Sequence, residues 1–283
     1  MHRQILRLID EQGSWAKPTG EYVQGWLNRL FERSRETKDL LNGVWLGHPV
    51  HPMVTDVPVG AMTTAALLDL TGQGRAADLA VATGVAGMAL SAATGAADAV
   101  DTYGDEQVHA TVHATLMVSS LTAYLTSLWL RLARPRARPL AVLLGLVGYG
   151  AMAAGAYIGG DVVYRDGNMV DRHAWRTGGT KWRALDVADV PEGQLTKAML
   201  GKEPLVLLRA GDAVQALHAT CAHAGGPLDE GSLVDGCVQC PWHGSRFRLA
   251  DGHVVRGPAV YDQPAYEVRR TESGGWEARL RQA

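Results

Sequence analysis

The chain has 283 residues, a formal net charge of −2 at pH 7 and three cysteines. This length allows two domains, and the near-neutral charge argues against a nucleic-acid partner. The hydrophobic fraction of 47% is unevenly distributed, because apolar residues concentrate between about positions 54 and 160.

The first 47 residues are predicted to form a helical lead-in. Two groups of apolar residues recur at helical spacing and could each line one face of a helix. The first group is Ile5, Leu8 and Ile9, and the second is Trp26, Leu27, Leu30 and Phe31.

The next segment, Gly47-His48-Pro49-Val50-His51-Pro52, contains two prolines. Proline disfavours helix in the residue before it and removes a backbone donor, so we expect a stiff, extended segment here. The two imidazoles would then be fixed in direction. The first membrane helix is predicted to begin near Met53 or Val54 and to end at Leu70.

Three further apolar runs cover residues 79–97, 110–130 and 139–160. Each is about long enough to cross the roughly 30 Å hydrocarbon layer of a bilayer. Together with the first helix they predict a four-helix transmembrane domain over residues 48–165. The alternative is a soluble helical bundle, but its helices would carry polar faces, which these runs lack.

Four histidines near the predicted membrane boundary form a candidate second site. They are His48, His51, His109 and His113. Four crossings place all of them on one side of the membrane, and the last two share a helix face because they are four residues apart. Ionisable residues at membrane depth are functional by default. They could ligate haem or a metal, bind a quinone or cap helix ends as polar residues, and the sequence leaves these alternatives open.

Residues 166–180 are predicted to form a linker, because Gly167, Gly178 and Gly179 occur there among mixed charges. Strands follow at residues 205–208 and 213–217, with Gly211-Asp212 as the turn between them.

Two short segments near the end of the chain each combine one cysteine with one histidine. They are Cys221-Ala222-His223 and Cys240-Pro241-Trp242-His243. Two thiolates on one iron and two imidazoles on the other are the ligands of a Rieske [2Fe–2S] centre. A tetrahedral zinc is the alternative, although zinc fingers usually pair Cys with Cys and His with His.

These segments, extended by Gly225 and Gly244, resemble the two cluster loops of the Rieske iron–sulfur family. The resemblance continues at Leu228 and at Gly257-Pro258, which is similar to the family's proline-containing third loop. It implies a small all-β domain over residues 181–283 with a [2Fe–2S] cluster at one tip. The implied ligands are Cys221, His223, Cys240 and His243.

Two departures indicate the type of Rieske domain. Gly225 and Trp242 stand where Rieske proteins of cytochrome bc complexes carry an extra disulfide, and Cys237 occupies neither position, so we expect a buried free thiol. Ser245 matches a hydrogen-bond donor of that family, but Phe247 replaces a tyrosine and has no hydroxyl. The resemblance therefore implies a ferredoxin-type cluster in the lower part of the roughly −150 to +300 mV range.

The membrane segment resembles an uncharacterised bacterial family of four-helix membrane proteins. The resemblance rests on the Gly-His-Pro-x-His-Pro pattern and on residues 160–165, and it covers about residues 43–170. It implies four transmembrane helices but no activity.

We therefore expect an α + β multidomain protein, with an N-terminal four-helix transmembrane bundle and a C-terminal all-β Rieske domain. The predicted function is single-electron transfer, either as a carrier or as an oxidoreductase subunit. The alternatives are a quinone- or haem-linked membrane oxidoreductase and a non-catalytic redox sensor or assembly subunit. Expected partners are a redox protein or a quinone, together with the lipid bilayer. We expect the bacterial inner membrane, with the Rieske domain on the cytoplasmic side.

Overall fold

The structure is a computed structural model that describes residues 2–11, 13–174 and 179–281. It divides into two compact units. The helical unit comprises Met1–Thr37 and Val50–Asn168, and the β unit comprises Lys38–Pro49 and Met169–Ala283. The short segment before the first membrane helix is thus part of the β unit. The domain boundaries predicted from the sequence remain a prediction.

Seven α-helices precede the strands. They are α1 (His2–Glu11), α2 (Gly13–Glu32), α3 (Arg35–Asn42), α4 (Val50–Leu70), α5 (Gly74–Ala99), α6 (Gly104–Ala133) and α7 (Arg138–Tyr164). The last four are long and apolar enough to cross a membrane, as predicted. The predicted start of α4 was three to four residues late. Pro52 lies in its first turn, where the missing backbone N–H costs no intrahelical hydrogen bond.

The four long helices form a bundle of two hairpins. α4 packs along α5 and α6 packs along α7, while α5 also contacts α6 and α4 also contacts α7. Consequently α4 and α6 are diagonal to each other across the bundle.

A buried ion network lies at one end of this bundle. Arg131 donates hydrogen bonds to Asp69 (2.5 Å) and Asp78 (2.9 Å), and Arg138 donates to Asp78 (3.0 Å). Buried charges are tolerated when they are paired and hydrogen-bonded. The network ties α4, α5, α6 and α7 together.

Ten strands form two antiparallel sheets. They are β1 (Arg183–Ala184), β2 (Leu195–Leu200), β3 (Glu203–Ala210), β4 (Ala213–His218), β5 (Ser232–Val234), β6 (Cys237–Gln239), β7 (Arg246–Arg248), β8 (Val254–Arg256), β9 (Ala265–Arg270) and β10 (Trp276–Leu280). The larger sheet has the order β1-β10-β9-β4-β3-β2 and the smaller β5-β6-β7-β8. This confirms the predicted all-β C-terminal part.

Three connections position the candidate site. They link β4 to β5, β6 to β7 and β8 to β9, and the first two carry the Cys and His residues. A core cluster that includes Leu228, Val238 and Phe247 packs directly beneath the cysteines. The loops that carry the site therefore rest on buried apolar side chains.

Candidate metal centre

The first loop folds tightly around Cys221. The backbone N–H of Gly225 donates to the carbonyl of Cys221 (3.0 Å), and the N–H of Cys221 donates to the carbonyl of Gly226 (2.8 Å). This pair of bonds closes a short turn with the cysteine at its start.

The second loop repeats the same turn around Cys240. Gly244 N–H donates to the Cys240 carbonyl (3.2 Å), and Cys240 N–H donates to the Ser245 carbonyl (2.8 Å). Gly225 and Gly244 both have positive φ, 83° and 77°, a conformation that glycine adopts without a steric penalty. The two loops therefore present their side chains alike, although the histidine follows the cysteine by two residues in one and three in the other.

The four predicted ligands converge as two pairs. Cys221 and Cys240 are buried, 1% and 3% exposed, and their thiols are close enough to hydrogen-bond. The rings of His223 and His243 lie 5.1 Å apart between centroids at an interplanar angle of 87°, and both are half-buried. Across the described ranges, no three His, Cys, Asp or Glu side chains are close enough to share a single ion. Two pairs suit a two-iron cluster better than one tetrahedral zinc.

The pKa values of three of these groups are shifted, and the hydrogen bond to Cys240 together with burial raises that of Cys221. The hydrogen bond from Cys221, opposed by burial, lowers the pKa of Cys240 to about 7. Burial lowers the pKa of His223 to about 3, with smaller contributions from His243, Lys38 and Arg172. A thiolate and a neutral imidazole are the forms that bind metal.

A buried glutamine supports the first loop. Gln263, only 2% exposed, donates from Nε2 to the carbonyls of Thr220 (2.5 Å) and His218 (2.6 Å), and its Oε1 accepts from Ala222 N–H (3.0 Å). His173 places Nε2 2.8 Å from the Thr220 carbonyl. The sequence does not indicate either residue, because nothing local distinguishes a glutamine 42 residues from Cys221 in the chain.

Three further residues named in the sequence analysis, Ser245, Phe247 and Cys237, are all buried. The Ser245 hydroxyl oxygen accepts a hydrogen bond from Ala259 N–H (3.0 Å), which leaves its own proton available for donation. Phe247 is fully buried. Cys237 is a buried free thiol.

The segment Lys38–Pro49 packs on the β unit beside the third loop. Asp39 accepts a hydrogen bond from Gly257 N–H (3.2 Å), and Val44 packs against the core below the cysteines. Lys38 is 3% exposed, and its charge acts on His223. The segment therefore brings a buried positive charge towards the candidate metal centre.

The structure pairs two of the four histidines predicted near the membrane boundary. The rings of His51 and His113 are 6.4 Å apart between centroids. His109 instead hydrogen-bonds through Nδ1 to Oδ2 of Asp166 at 2.7 Å. His48 is exposed and belongs to the β unit.

Two family models match the chain. The Rieske [2Fe-2S] domain matches residues 180–267, and a family described as a predicted membrane protein, DUF2231, matches residues 47–172. The membrane family is the resemblance expected from the Gly-His-Pro-x-His-Pro pattern, and both expectations are confirmed.

Curated relatives match the β unit. The anthranilate 1,2-dioxygenase ferredoxin subunit of Burkholderia cepacia is 30% identical over 90 residues, which are 31% of this chain and 83% of the relative. The ferredoxin component of biphenyl 2,3-dioxygenase from Rhodococcus jostii is 32% identical over 81 residues, 29% of this chain and 76% of the relative. Apoptosis-inducing factor 3 of Mus musculus is 32% identical over 83 residues, 29% of this chain, but the chain spans only 14% of its length. Through its β unit the chain belongs to the Rieske [2Fe-2S] family as a ferredoxin-type electron-carrier domain, joined to a DUF2231 membrane domain.

Proposed function

We propose that the protein is a membrane-anchored carrier of single electrons whose [2Fe–2S] cluster is held by Cys221, His223, Cys240 and His243. The observation that carries this proposal is the convergence of these four side chains as a buried thiol pair and a half-buried imidazole pair. Cys221 and Cys240 would hold the inner iron, and His223 and His243 the outer iron.

The bound cluster supplies reversible one-electron chemistry. The residues of the chain control where the electron enters and leaves. Because the thiols are buried and the imidazoles are half-buried, a partner would approach the cluster on the histidine side. Trp242, adjacent to His243 and 51% exposed, offers this partner an apolar contact.

The charges and donors around the site act on the midpoint potential in opposite directions. Phe247 provides no hydroxyl, which favours the lower part of the range of about −150 to +300 mV. Lys38 stabilises the more negative, reduced form and so raises the potential. A neutral imidazole ligand that loses a proton on oxidation stabilises the oxidised form at high pH, and the potential then falls as pH rises.

The electron donor and acceptor are proposed to be redox proteins, with a quinone as the alternative. The relatives named as ferredoxin subunits of dioxygenases support a protein partner. The four apolar helices support anchoring in a bacterial inner membrane. We propose the cytoplasm for the β unit, because Cys237, the cysteine outside the proposed cluster, is a free thiol and is compatible with a reducing compartment.

The ligand assignment is tested by electron paramagnetic resonance of the dithionite-reduced full-length protein in detergent. We expect His243→Ala and Cys240→Ala each to abolish the cluster signal. His253→Ala and Cys237→Ala are matched controls, since they remove the same residue types from the same unit, and should retain it. An unchanged signal in either ligand variant would refute the assignment.

A quinone- or haem-linked membrane oxidoreductase is the second candidate function. It is favoured by one observation, the pairing of His51 and His113 in the helical unit.

A further inference from the structure

The helical unit contains an internal repeat that relates its two hairpins. A shift of 62 positions superimposes α4 on α6 in sequence, taking His51 to His113 and Asp69 to Arg131. The latter two are partners in the buried ion network at the opposite end of the bundle. Eighteen residues separate the histidine from the charged residue in both helices, about 27 Å at 1.5 Å per residue.

The second helix of each hairpin follows with a shift of 64 positions. This shift takes Gly84 to Gly148 and Gly95 to Gly159. A Cβ at Gly84 would lie 2.5 Å from Met62, whereas one at Gly148 would lie 3.0 Å from Tyr124, and these two larger side chains are themselves 62 positions apart. The two hairpins therefore share equivalent packing contacts as well as equivalent residues at a constant sequence shift.

Both histidines have similar surroundings in the two halves, although His51 Nδ1 also lies 3.2 Å from the hydroxyl of Thr94. His51 on α4 places Nδ1 2.9 Å from the carbonyl of Ser91 on α5, and its ring lies against Gly95, where a Cβ would be 2.8 Å away. His113 on α6 places Nδ1 2.8 Å from the carbonyl of Gly155 on α7. A Cβ at Gly159 would be 2.9 Å from that ring. Each hairpin thus holds one imidazole between a carbonyl and a glycine one turn further on.

These hydrogen bonds determine the tautomer. A carbonyl oxygen can only accept, so Nδ1 carries the proton in both rings and Nε2 keeps a lone pair. Neither Nε2 has a hydrogen-bond partner among the residues that the structure describes. A ligating histidine usually shows this arrangement, with its other ring nitrogen donating to a carbonyl.

The two imidazoles come from the diagonal helices α4 and α6 and lie nearly perpendicular to each other, at an interplanar angle of 82°. Their centroids are 6.4 Å apart, close to the roughly 6 Å expected for two imidazoles bound to opposite sides of one metal at about 2.0–2.1 Å. Within the described part of the chain, no third His, Cys, Asp or Glu joins them. A bare zinc or copper ion would lack ligands.

We propose that His51 and His113 are the two axial ligands of a haem bound in the helical unit, on the pseudo-twofold axis between its hairpins. A porphyrin supplies four nitrogens to iron and leaves two axial positions for imidazoles. A quinol bridging both Nε2 atoms through two O–H···N bonds of about 2.7 Å would also need the width of its own ring, more than the centroid distance allows. The bound iron would accept one electron from a redox-protein donor, going from the ferric to the ferrous form, and would pass that electron to a redox-protein acceptor, returning to the ferric form.

The test is haem content of the full-length protein, expressed in a haem-replete host and purified in detergent. Haem is measured as the pyridine haemochrome and by the dithionite-reduced-minus-oxidised spectrum. We expect about one haem per chain and, in His51→Ala and His113→Ala, losses of at least about tenfold each. The two variants should lose similar amounts of haem, because the repeat places the two histidines at equivalent positions.

The matched controls are the neighbouring histidines. His48 precedes His51 by three residues, and His109 precedes His113 by four. The variants His48→Ala and His109→Ala should both retain a haem content within about twofold of the wild type. His113→Met is the conservative variant, since a thioether can replace one axial imidazole and raises the haem potential. A misfolded variant would lose its helical circular dichroism, whereas loss of a ligand would not.

Wild-type protein without haem bands would overturn the proposal, as would bands that survive both alanine substitutions. A quinone recovered by solvent extraction in place of haem would also overturn it. The proposal is independent of the iron–sulfur assignment, because the electron paramagnetic resonance signal of the reduced cluster is measured on the same samples and should persist in all five variants.

Discussion

The α-carbon of Gly226 lies so close to Cys240 that a Cβ added there would sit 2.7 Å from the thiol Sγ. Carbon and sulfur cannot approach this closely without a shift of one loop. We therefore expect Gly226→Ala to displace a proposed cluster ligand and to reduce cluster content, measured as iron and acid-labile sulfide per chain. Gly179→Ala is the control, since nothing lies within 4 Å of its added Cβ. Full cluster loading in Gly226→Ala would show that the loops can separate.

The buried charge of Lys38 provides a test of how the segment before the first membrane helix acts on the cluster. We expect Lys38→Met to lower the midpoint potential by several tens of millivolts, because a nearby positive charge stabilises the more negative reduced form. Redox titration followed by electron paramagnetic resonance measures this shift. Lys197→Met is the control, since this lysine is exposed and pairs with Asp229. A potential that does not move would place Lys38 too far from the cluster to influence it.

Ser245 is expected to act on both potential and stability. Ser245→Ala removes a hydroxyl that can donate towards the cluster and leaves the buried Ala259 N–H without its acceptor. We expect a lower midpoint potential and a loss of about 1–3 kcal/mol in the free energy of unfolding. The exposed Ser232→Ala should change neither quantity. An unaltered potential together with reduced stability would assign the hydroxyl a structural role alone.

The ion network of the helical unit should contribute strongly to stability. Among the residues that the structure describes, Arg131→Met leaves the carboxylate of Asp69, 6% exposed, with the longer 3.7 Å contact to Arg138 as its remaining ion pair. We expect a loss of about 3 kcal/mol, since removing one partner of a buried ion pair leaves an uncompensated charge. Thermal unfolding in detergent, followed by helical circular dichroism, measures it. Arg136→Met, on the exposed surface of the same end, should unfold like the wild type.

Much of the fold was predictable because its signals are local in sequence. Uncharged runs the length of a bilayer predicted α4 to α7, and the Gly211-Asp212 turn predicted the hairpin of β3 and β4. The start of α4 was less predictable, because a proline breaks a helix when it lies in the interior but is tolerated in the first turn. The composition around Pro52 does not distinguish these two positions.

The two candidate sites also differ in how far they could be predicted from local sequence. Cys221 lies two residues from His223 and Cys240 three from His243, so each half of the cluster site is visible in a short stretch of sequence. The sequence gives no reason to distinguish the four histidines near the membrane boundary. Helix packing brings His51 close to His113 and places His109 beside Asp166.

By itself the sequence determined the class of cofactor and the presence of four membrane helices, because ligand spacing and apolar length are properties of neighbouring residues. Only the tertiary structure decided that Gln263 supports the first loop, that Lys38 is buried in the β unit, and that the two hairpins bring two imidazoles within 6.4 Å of each other. Each of these relationships joins residues between 41 and 185 positions apart. Such contacts depend on how helices and loops pack, and local sequence patterns do not specify which distant side chains come into contact.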